Sequence, residues 1–131
     1  MPAVATNSSL AITTNRIKGD GTEPRWVHWG TGTTAPSATD TNLEIPRPES
    51  RVQGASSREG TKVPFDTYQV IGTLTTTGTV AITEVANFDS AGAATPPVGG
   101  NVFVRGTFNP INLEKDDSIQ FTIQTIYEQS A

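Results

Sequence analysis

The chain has 131 residues, of which 34% are hydrophobic, so it suffices for one domain with a thin core and favours support from neighbouring subunits. It contains no cysteine, which excludes disulfide bonds and thiolate metal sites. The net charge of −4 and the scattered arginines argue against direct binding to nucleic acid. The sequence has no run of about 18 apolar residues of the kind that crosses a membrane. We therefore expect neither nucleic acid nor a membrane as a partner.

Residues 1–25 differ in composition from the rest of the chain. They are polar with small apolar residues, and they end in a turn-rich stretch at residues 18–24. This composition predicts an extended N-terminal arm or edge strand, followed by a single β-sandwich domain over residues 26–131. No amphipathic pattern of ten residues is found, so no helix is expected.

An aromatic cluster opens the body of the chain. Trp26 and His28 fall on one face of a predicted strand, and Val27 and Trp29 fall on the other face. Residues 30–41 are rich in Gly, Thr, Ala, Pro and Ser, which predicts a long extended loop.

Two prolines mark the next segment, residues 42–54. Pro46 and Pro48 would interrupt the hydrogen bonds of a central strand. We therefore expect an edge strand here, or a strand that begins late.

A hairpin is predicted in the middle of the chain. Residues 62–76 contain a clear strand, and a Thr- and Gly-rich turn at residues 75–79 leads to a second strand at residues 80–88. Glu84 lies among the apolar residues of this second strand. Either a bulge redirects the strand there, or the carboxylate faces a subunit contact.

The last third carries the clearest periodicity. Residues 89–100 form a predicted loop of Ala, Gly and Pro that is long enough to contact a partner, and residues 114–117 form a charged turn. Residues 101–108 and 118–127 alternate apolar and polar side chains, as half-buried strands do. Together with abundant Thr, this predicts an all-β domain, specifically an antiparallel, jelly-roll-like β-sandwich with an extended N-terminal arm.

Candidate catalytic and metal sites are few. His28 is the only histidine, and its place between two tryptophans favours packing over catalysis. The Gly-rich residues 30–34 lack the Gly-Lys-Ser/Thr ending of a phosphate loop. Glu114, Asp116 and Asp117 do not have the spacing of a calcium loop and are interpreted as turn charges. We expect no catalytic residues, no metal ligands and no cofactor.

Two further patterns leave alternatives open. Carboxylate pairs, Glu44 with Glu49 and Glu84 with Asp89, have residue types used in glycoside hydrolysis, but their separation is not set by sequence. A second alternative is a sugar-binding platform, formed by Trp26, Trp29 and Tyr68.

The order of several short motifs carries a resemblance to a known group of proteins. The chain resembles small virion structural proteins of tailed bacteriophages over about residues 26–127, most closely the capsid decoration or cement proteins. Small tail and fibre components are near neighbours. The motifs are Trp-Gly-Thr-Gly-Thr-Thr-Ala-Pro at 29–36, Ala-Thr-Asp-Thr-Asn-Leu at 38–43, Ala-Ile-Thr-Glu-Val at 81–85, Phe-Asp at 88–89, Phe-Asn-Pro-Ile-Asn-Leu at 108–113 and Asp-Ser-Ile at 117–119.

The resemblance implies a protein without enzymatic activity. Such a protein is made in the host cytoplasm and binds the outer surface of an assembled capsid in the virion. Its partners are the major capsid protein and further copies of itself, as a homodimer or homotrimer. Residues 1–18 and residues 89–100 are the expected contact elements. The alternative is a tail or tail-fibre component whose β-sandwich binds a glycan or receptor.

Overall fold

Residues 2–129, the part of the chain that the computed structural model describes, contain eight β-strands and one α-helix. Strands predominate over the single helix, as the alternation and Thr content of the sequence predict. The elements in chain order are β1 (Ala3–Ala5), α1 (Asn7–Lys18), β2 (Trp26–Gly30), β3 (Val52–Gln53), β4 (Ala55–Glu59), β5 (Thr67–Thr75), β6 (Val80–Phe88), β7 (Val102–Leu113) and β8 (Ser118–Ile126).

The strands form two antiparallel sheets that pack face to face. The large sheet has five strands in the order β1-β7-β6-β2-β3, and the small sheet has three in the order β4-β5-β8. The predicted all-β sandwich is confirmed. The jelly-roll arrangement stays a prediction.

The main core lies between the two sheets. Val27 and Trp29 of β2 point into it together, as their spacing predicts, and neither is exposed to solvent. The other buried members of this core come from β5, β6 and β7: Val70, Leu74, Ile82, Val85 and Leu113.

A second, smaller core covers the outer face of the large sheet. Ala86 and Phe88 of β6 pack there with Leu43, which comes from the long loop after β2, and Trp26 packs against this cluster. Because both faces of the large sheet are covered around its central strand β6, this strand is buried continuously from residue 82 to residue 88.

The prolines of residues 42–54 have the predicted effect. Pro46 makes only an isolated bridge to Gly30, and the regular strand β3 begins at Val52, at the edge of the large sheet. The prediction of an edge strand that begins late is confirmed.

The predicted hairpin between residues 62–76 and 80–88 is wrong. β5 lies in the small sheet and β6 lies in the large sheet, so the chain crosses between sheets at residues 76–79. Thr76 pairs instead with the turn before β8: its N–H donates to the carbonyl of Asp117, and its carbonyl accepts from the N–H of Asp116, both at 2.9 Å. This pairing extends β5 along β8 and prevents closure of a hairpin with β6.

The expectation that no helix of ten residues occurs is also wrong. β1 pairs with the edge of β7, and the twelve-residue helix α1 follows it and packs near the same strand. Its apolar residues form no continuous stripe, because Ile12 is buried whereas Leu10 and Ile17 are exposed. The sequence does carry the end signals of a helix, with basic residues in the last turn and the left-handed Gly19 after it.

Within residues 2–129, α1 is too short and too polar to span a bilayer, and these residues contain no other helix.

Candidate functional site

A groove of about 1110 Å³ lies along one side of the sandwich. The inner faces of β7 and β8 line it, and residues 2 and 3 close it at the edge of the large sheet. Its walls are mainly apolar, and they include Val104, Phe108, Ile119, Phe121 and Ile123.

The groove is open because the two sheets differ in width. β5 of the small sheet contacts β2 and β3, at one end of the large sheet. β8 lies further along, where the ring of Phe121 is 5.9 Å from that of Phe108 on β7. No described strand of the small sheet lies beyond β8 to cover the inner face of the β1 and β7 margin.

The alternation of β8 is confirmed in detail. Ile119, Phe121 and Ile123 face the core and are half-buried, whereas Gln120, Thr122 and Gln124 are exposed. The inward residues of β8 are therefore less buried than those of β5, since one side of β8 borders the groove.

Within residues 2–129, the backbone of β8 is paired on one side only, with β5. The N–H of Tyr127 donates to the carbonyl of Asp66, and the carbonyl of Asp117 accepts from Thr76, each at 2.9 Å. Between these two bonds the register of β8 with β5 has no shift. Backbone groups alternate in direction along an antiparallel strand, so the odd-numbered residues point to β5. The even-numbered residues from Ser118 to Ile126 point their N–H and C=O groups outward.

Nothing in the sequence of β8 protects this edge. Natural edge strands avoid unwanted pairing with charged side chains, proline or bulges. Residues 118–127 contain no charged residue, no proline and no glycine, and the pairing with β5 shows no bulge. This uncharged edge and the apolar groove beside it form the candidate interaction surface, which we call the β8 edge.

A buried ion pair lies on the opposite face of the large sheet. Arg105 of β7 and Glu84 of β6 are 2% and 0% exposed, and the Nε of Arg105 donates to Oε1 of Glu84 at 2.9 Å. Arg105 also donates to the carboxylate of Asp40 and to the carbonyl of Thr34, both at 3.1 Å. The bonds to Asp40 and Thr34 tie the loop after β2 onto the sheet.

Glu84 completes this attachment by accepting backbone hydrogen bonds. Its two oxygens accept from the N–H groups of Gly32, Glu44 and Ile45 at 2.8 to 2.9 Å. The pairing of β6 with β7 shifts in register between Ile82 and Glu84, and the extra residues of this irregularity lie on β7. The carboxylate therefore points into a loop of its own chain.

The Gly-rich loop at residues 30–34 has no free amides for a phosphate. Gly32 donates to Glu84, and the N–H groups of Thr33 and Thr34 donate to Glu44. The hydroxyl of Thr34 also donates to Glu44, and these bonds lower the pKa of that carboxyl. Two carboxylates thus occupy the positions that an anion would need.

His28 has a packed environment. Its side chain is fully buried, and Nε2 lies 2.7 Å from the carbonyl oxygen of Glu49. Burial lowers the pKa of its imidazole, which favours the neutral form. This geometry agrees with the packing role expected from the flanking tryptophans.

The three aromatic residues of the sugar-platform hypothesis do not share a surface. Trp29 is fully buried between the sheets, whereas Trp26 packs on the outer face of the large sheet. Tyr68 points inward from β5, with its ring 6.2 Å from that of Phe103 and its hydroxyl donating to Glu23. No flat aromatic platform results.

The acidic residues singled out in the sequence are used in loops and turns. Glu49 accepts from the indole N–H of Trp29 and the hydroxyl of Thr77, and Asp89 accepts from Asn101. Asp117 accepts from the N–H of Glu114 within the exposed turn before β8. Residues 2–129 contain no group of three or more His, Asp or Glu side chains placed to hold a metal ion.

Asp66 organises the loop between β4 and β5. Its carboxylate accepts from the N–H groups of Lys62 and Thr61 at 2.9 and 2.8 Å, and from that of Val63 at 3.2 Å. These bonds hold the pKa of the Asp66 carboxyl well below its ordinary value of 3.8, and the bond from the N–H of Lys62 has the largest effect.

We expect Asp66→Asn to destabilise the fold at neutral pH. The pKa is lower in the folded state, so the carboxylate stabilises the fold above the unfolded-state pKa of ~3.9, and this contribution is lost as the pH falls through the folded-state pKa. The difference in unfolding free energy between the two proteins should therefore shrink below about pH 4. Urea unfolding at neutral and acidic pH measures it. Asp116→Asn, in an exposed turn, is the control, and a difference that does not change with pH would contradict this role.

No family model, curated protein or solved structure matches the chain in comparisons with known proteins.

Proposed function

We propose that the protein is a structural virion protein without enzymatic activity, which binds the outer surface of an assembled phage capsid. It stabilises the capsid by bridging neighbouring capsomers, so its partners are the major capsid protein and further copies of itself. The proposal begins from the ordered motifs between residues 29 and 119 that resemble the decoration proteins. The structural observation that carries it is the β8 edge, an uncharged strand beside an apolar groove.

Surfaces of this kind support assembly. Large exposed apolar patches mark interaction sites on proteins, and open strand edges pair readily with other chains. Several weak contacts of one oligomer with a repeating shell gain effective concentration, so each contact needs little affinity by itself. Only 34% of the residues are hydrophobic, so the core is thin, and contacts with neighbouring subunits would add to the stability of the domain.

The loop between β6 and β7 supplies a second surface. Asp89 and Asn101 close its base with bonds of 2.7 and 3.0 Å, and Arg51 donates to the carbonyls of Ser90 and Gly99. The side chain of Val98 is nevertheless 52% exposed. A loop with a fixed base and an exposed apolar residue suits contact with a capsomer.

The N-terminal segment lies on its own sandwich. β1 pairs with β7, the hydroxyl of Thr6 donates to the carbonyl of Val102 at 2.7 Å, and Ile12 is buried. Removal of residues 1–18 would uncover the edge of β7 as well as remove a contact element. Substitutions in the loop of residues 89–100 are therefore a cleaner test of capsid binding.

Addition of the purified protein to expanded phage heads that lack it tests the proposal. We expect electron microscopy to show ordered density on the head exterior, and the heads to resist heat better than undecorated heads. Gold-labelled antibody on virions gives the location independently. Label on tails would replace the head assignment with the tail or tail-fibre alternative, and absence of label from virions would reject both.

Val98→Asp is expected to reduce head occupancy severalfold, because it places a charge on the apolar surface of the loop. Quantitative binding to heads measures the loss, and circular dichroism should show an unchanged fold. Val63→Asp is the matched control, since Val63 is 60% exposed on the loop between β4 and β5. Equal loss of binding in the two variants would contradict a specific role for residues 89–100.

A further inference from the structure

The groove beside β8 is large enough for one additional strand of the small sheet. Neighbouring strands in a sheet lie about 4.8 Å apart, and a fourth strand of the small sheet would occupy the groove against the inner faces of β7 and β1. The nine residues of β8 extend over about 30 Å. An added strand of this length would meet N–H and C=O groups at five positions of β8, the even-numbered residues 118 to 126, that pair with none of residues 2–129.

The side chains lining the groove define what such a strand carries. Paired residues in a sheet project to the same face, so every second side chain of an added strand would point into the groove. There it would meet Phe108, Phe121 and Ile123, all partly buried apolar residues. The remaining side chains would lie beside Gln120, Thr122 and Gln124 in solvent. The groove thus fits an uncharged segment that alternates apolar and polar residues.

We propose that β8 is a strand-addition site that binds one extended segment of a partner polypeptide with apolar side chains at alternate positions. This inference deepens the proposed function, and it rests on that function only for the identity of the partner as a virion shell protein. Backbone hydrogen bonds supply affinity in this mode, and the alternate side chains supply specificity.

The shape of the molecule favours a single segment over a second whole copy. A copy joined through β8 to β8 would bring its own large sheet to the same side of the joined small sheets. The β1 and β7 margins of both copies would then compete for the space beside the two β8 strands. An extended segment has no such margin and fills the groove without this conflict.

A synthetic peptide with the sequence of residues 118–127 is the probe, because it has the required alternation and no charged side chains. The N–H of Thr122 points outward, so Thr122→Pro removes a donor from the open edge without removing a bond to β5. We expect Thr122→Pro to weaken peptide binding at least tenfold, as measured by fluorescence anisotropy of labelled peptide. Thr122→Val keeps the N–H and is the matched control, and a scrambled peptide of the same composition should bind weakly to every protein.

Cysteine trapping locates the added strand. The protein has no cysteine, so Thr122→Cys creates a single thiol, and a peptide with cysteine at the same position should form a disulfide with it. Gln69→Cys on the central strand β5 should trap much less peptide. Equal binding by the Pro and Val variants, or equal trapping at positions 69 and 122, would overturn the proposal. So would a disulfide-linked dimer of the Thr122→Cys protein that excludes peptide, because the occupant would then be a second copy.

Head binding separates this inference from the function on which it rests. Peptide binding at β8 by a protein that binds neither heads nor tails would reject the virion function and leave strand addition standing. Unchanged decoration of heads by the Thr122→Pro variant would reject strand addition as the capsid contact and leave the virion function standing.

Discussion

Replacement of Arg105 by methionine is expected to lower the free energy of unfolding by about 3 to 5 kcal/mol, the usual loss when one partner of a buried ion pair is removed. The substitution leaves the carboxylate of Glu84 without its cation in a site that solvent does not reach. It also removes the donors to Asp40 and Thr34, so the loop after β2 loses two of its attachments. Urea unfolding followed by circular dichroism measures the change.

The exposed pair of Lys62 and Glu128 is the control for this prediction. Its nitrogen and oxygen are 2.7 Å apart, but the side chains are 70% and 55% exposed, so Lys62→Met should cost less than about 1 kcal/mol. The double variant Glu84→Leu with Arg105→Met distinguishes an ordinary ion pair from a loop anchor. In the double variant the N–H groups of Gly32, Glu44 and Ile45 have no carboxylate acceptor, so we expect it to remain less stable than the unmodified protein. Full stability of the double variant would contradict the role of Glu84 as an anchor of the loop.

Trp29→Ala is expected to destabilise the fold by a similar amount, about 3 to 5 kcal/mol, because it opens a cavity between the sheets. The indole is fully buried, and its ring lies edge-on to that of Phe121 at 6.4 Å. Its N–H donates to Glu49 at 2.9 Å, and Glu49 in turn accepts from Arg47 and Thr77. Thermal and urea unfolding measure the loss.

Two further variants divide the contribution of Trp29. Trp29→Phe keeps most of the ring volume but removes the donor to a carboxylate, a change of about 1 to 3 kcal/mol. Trp26→Ala removes the other tryptophan, which is only partly buried on the outer face of the large sheet, and should cost less than Trp29→Ala. Equal losses at the two positions would contradict the central place of Trp29 in the core.

Local periodicity was sufficient to predict which faces of individual strands are buried. The alternation of residues 118–127 correctly predicts the inward face of β8, and that of residues 26–29 separates Val27 and Trp29 from Trp26 and His28. The prolines at 46 and 48 correctly predict a late edge strand. These features follow from side-chain direction and backbone donors within a few residues, so they need no knowledge of the fold.

The sequence predicts the composition of the β8 edge but not its position in the sheet. The absence of charge, proline and glycine over residues 118–127 can be read directly and indicates an edge without protection. The sequence does not show that β8 is an edge strand, because this position depends on which strands pair with one another. The groove depends in addition on the different widths of the two sheets.

By itself, the sequence determined that this protein is built from strands, where most of them lie and which faces they bury, because these properties follow from a two-residue period. Only the tertiary structure decided that β5 and β6 belong to different sheets and that residues 7–18 form a helix. It also brought Glu84 and Arg105 together beneath the loop after β2. The physical reason is that pairing across a sandwich is decided by contacts between residues far apart in the chain, where turns and buried hydrogen bonds outweigh local preference.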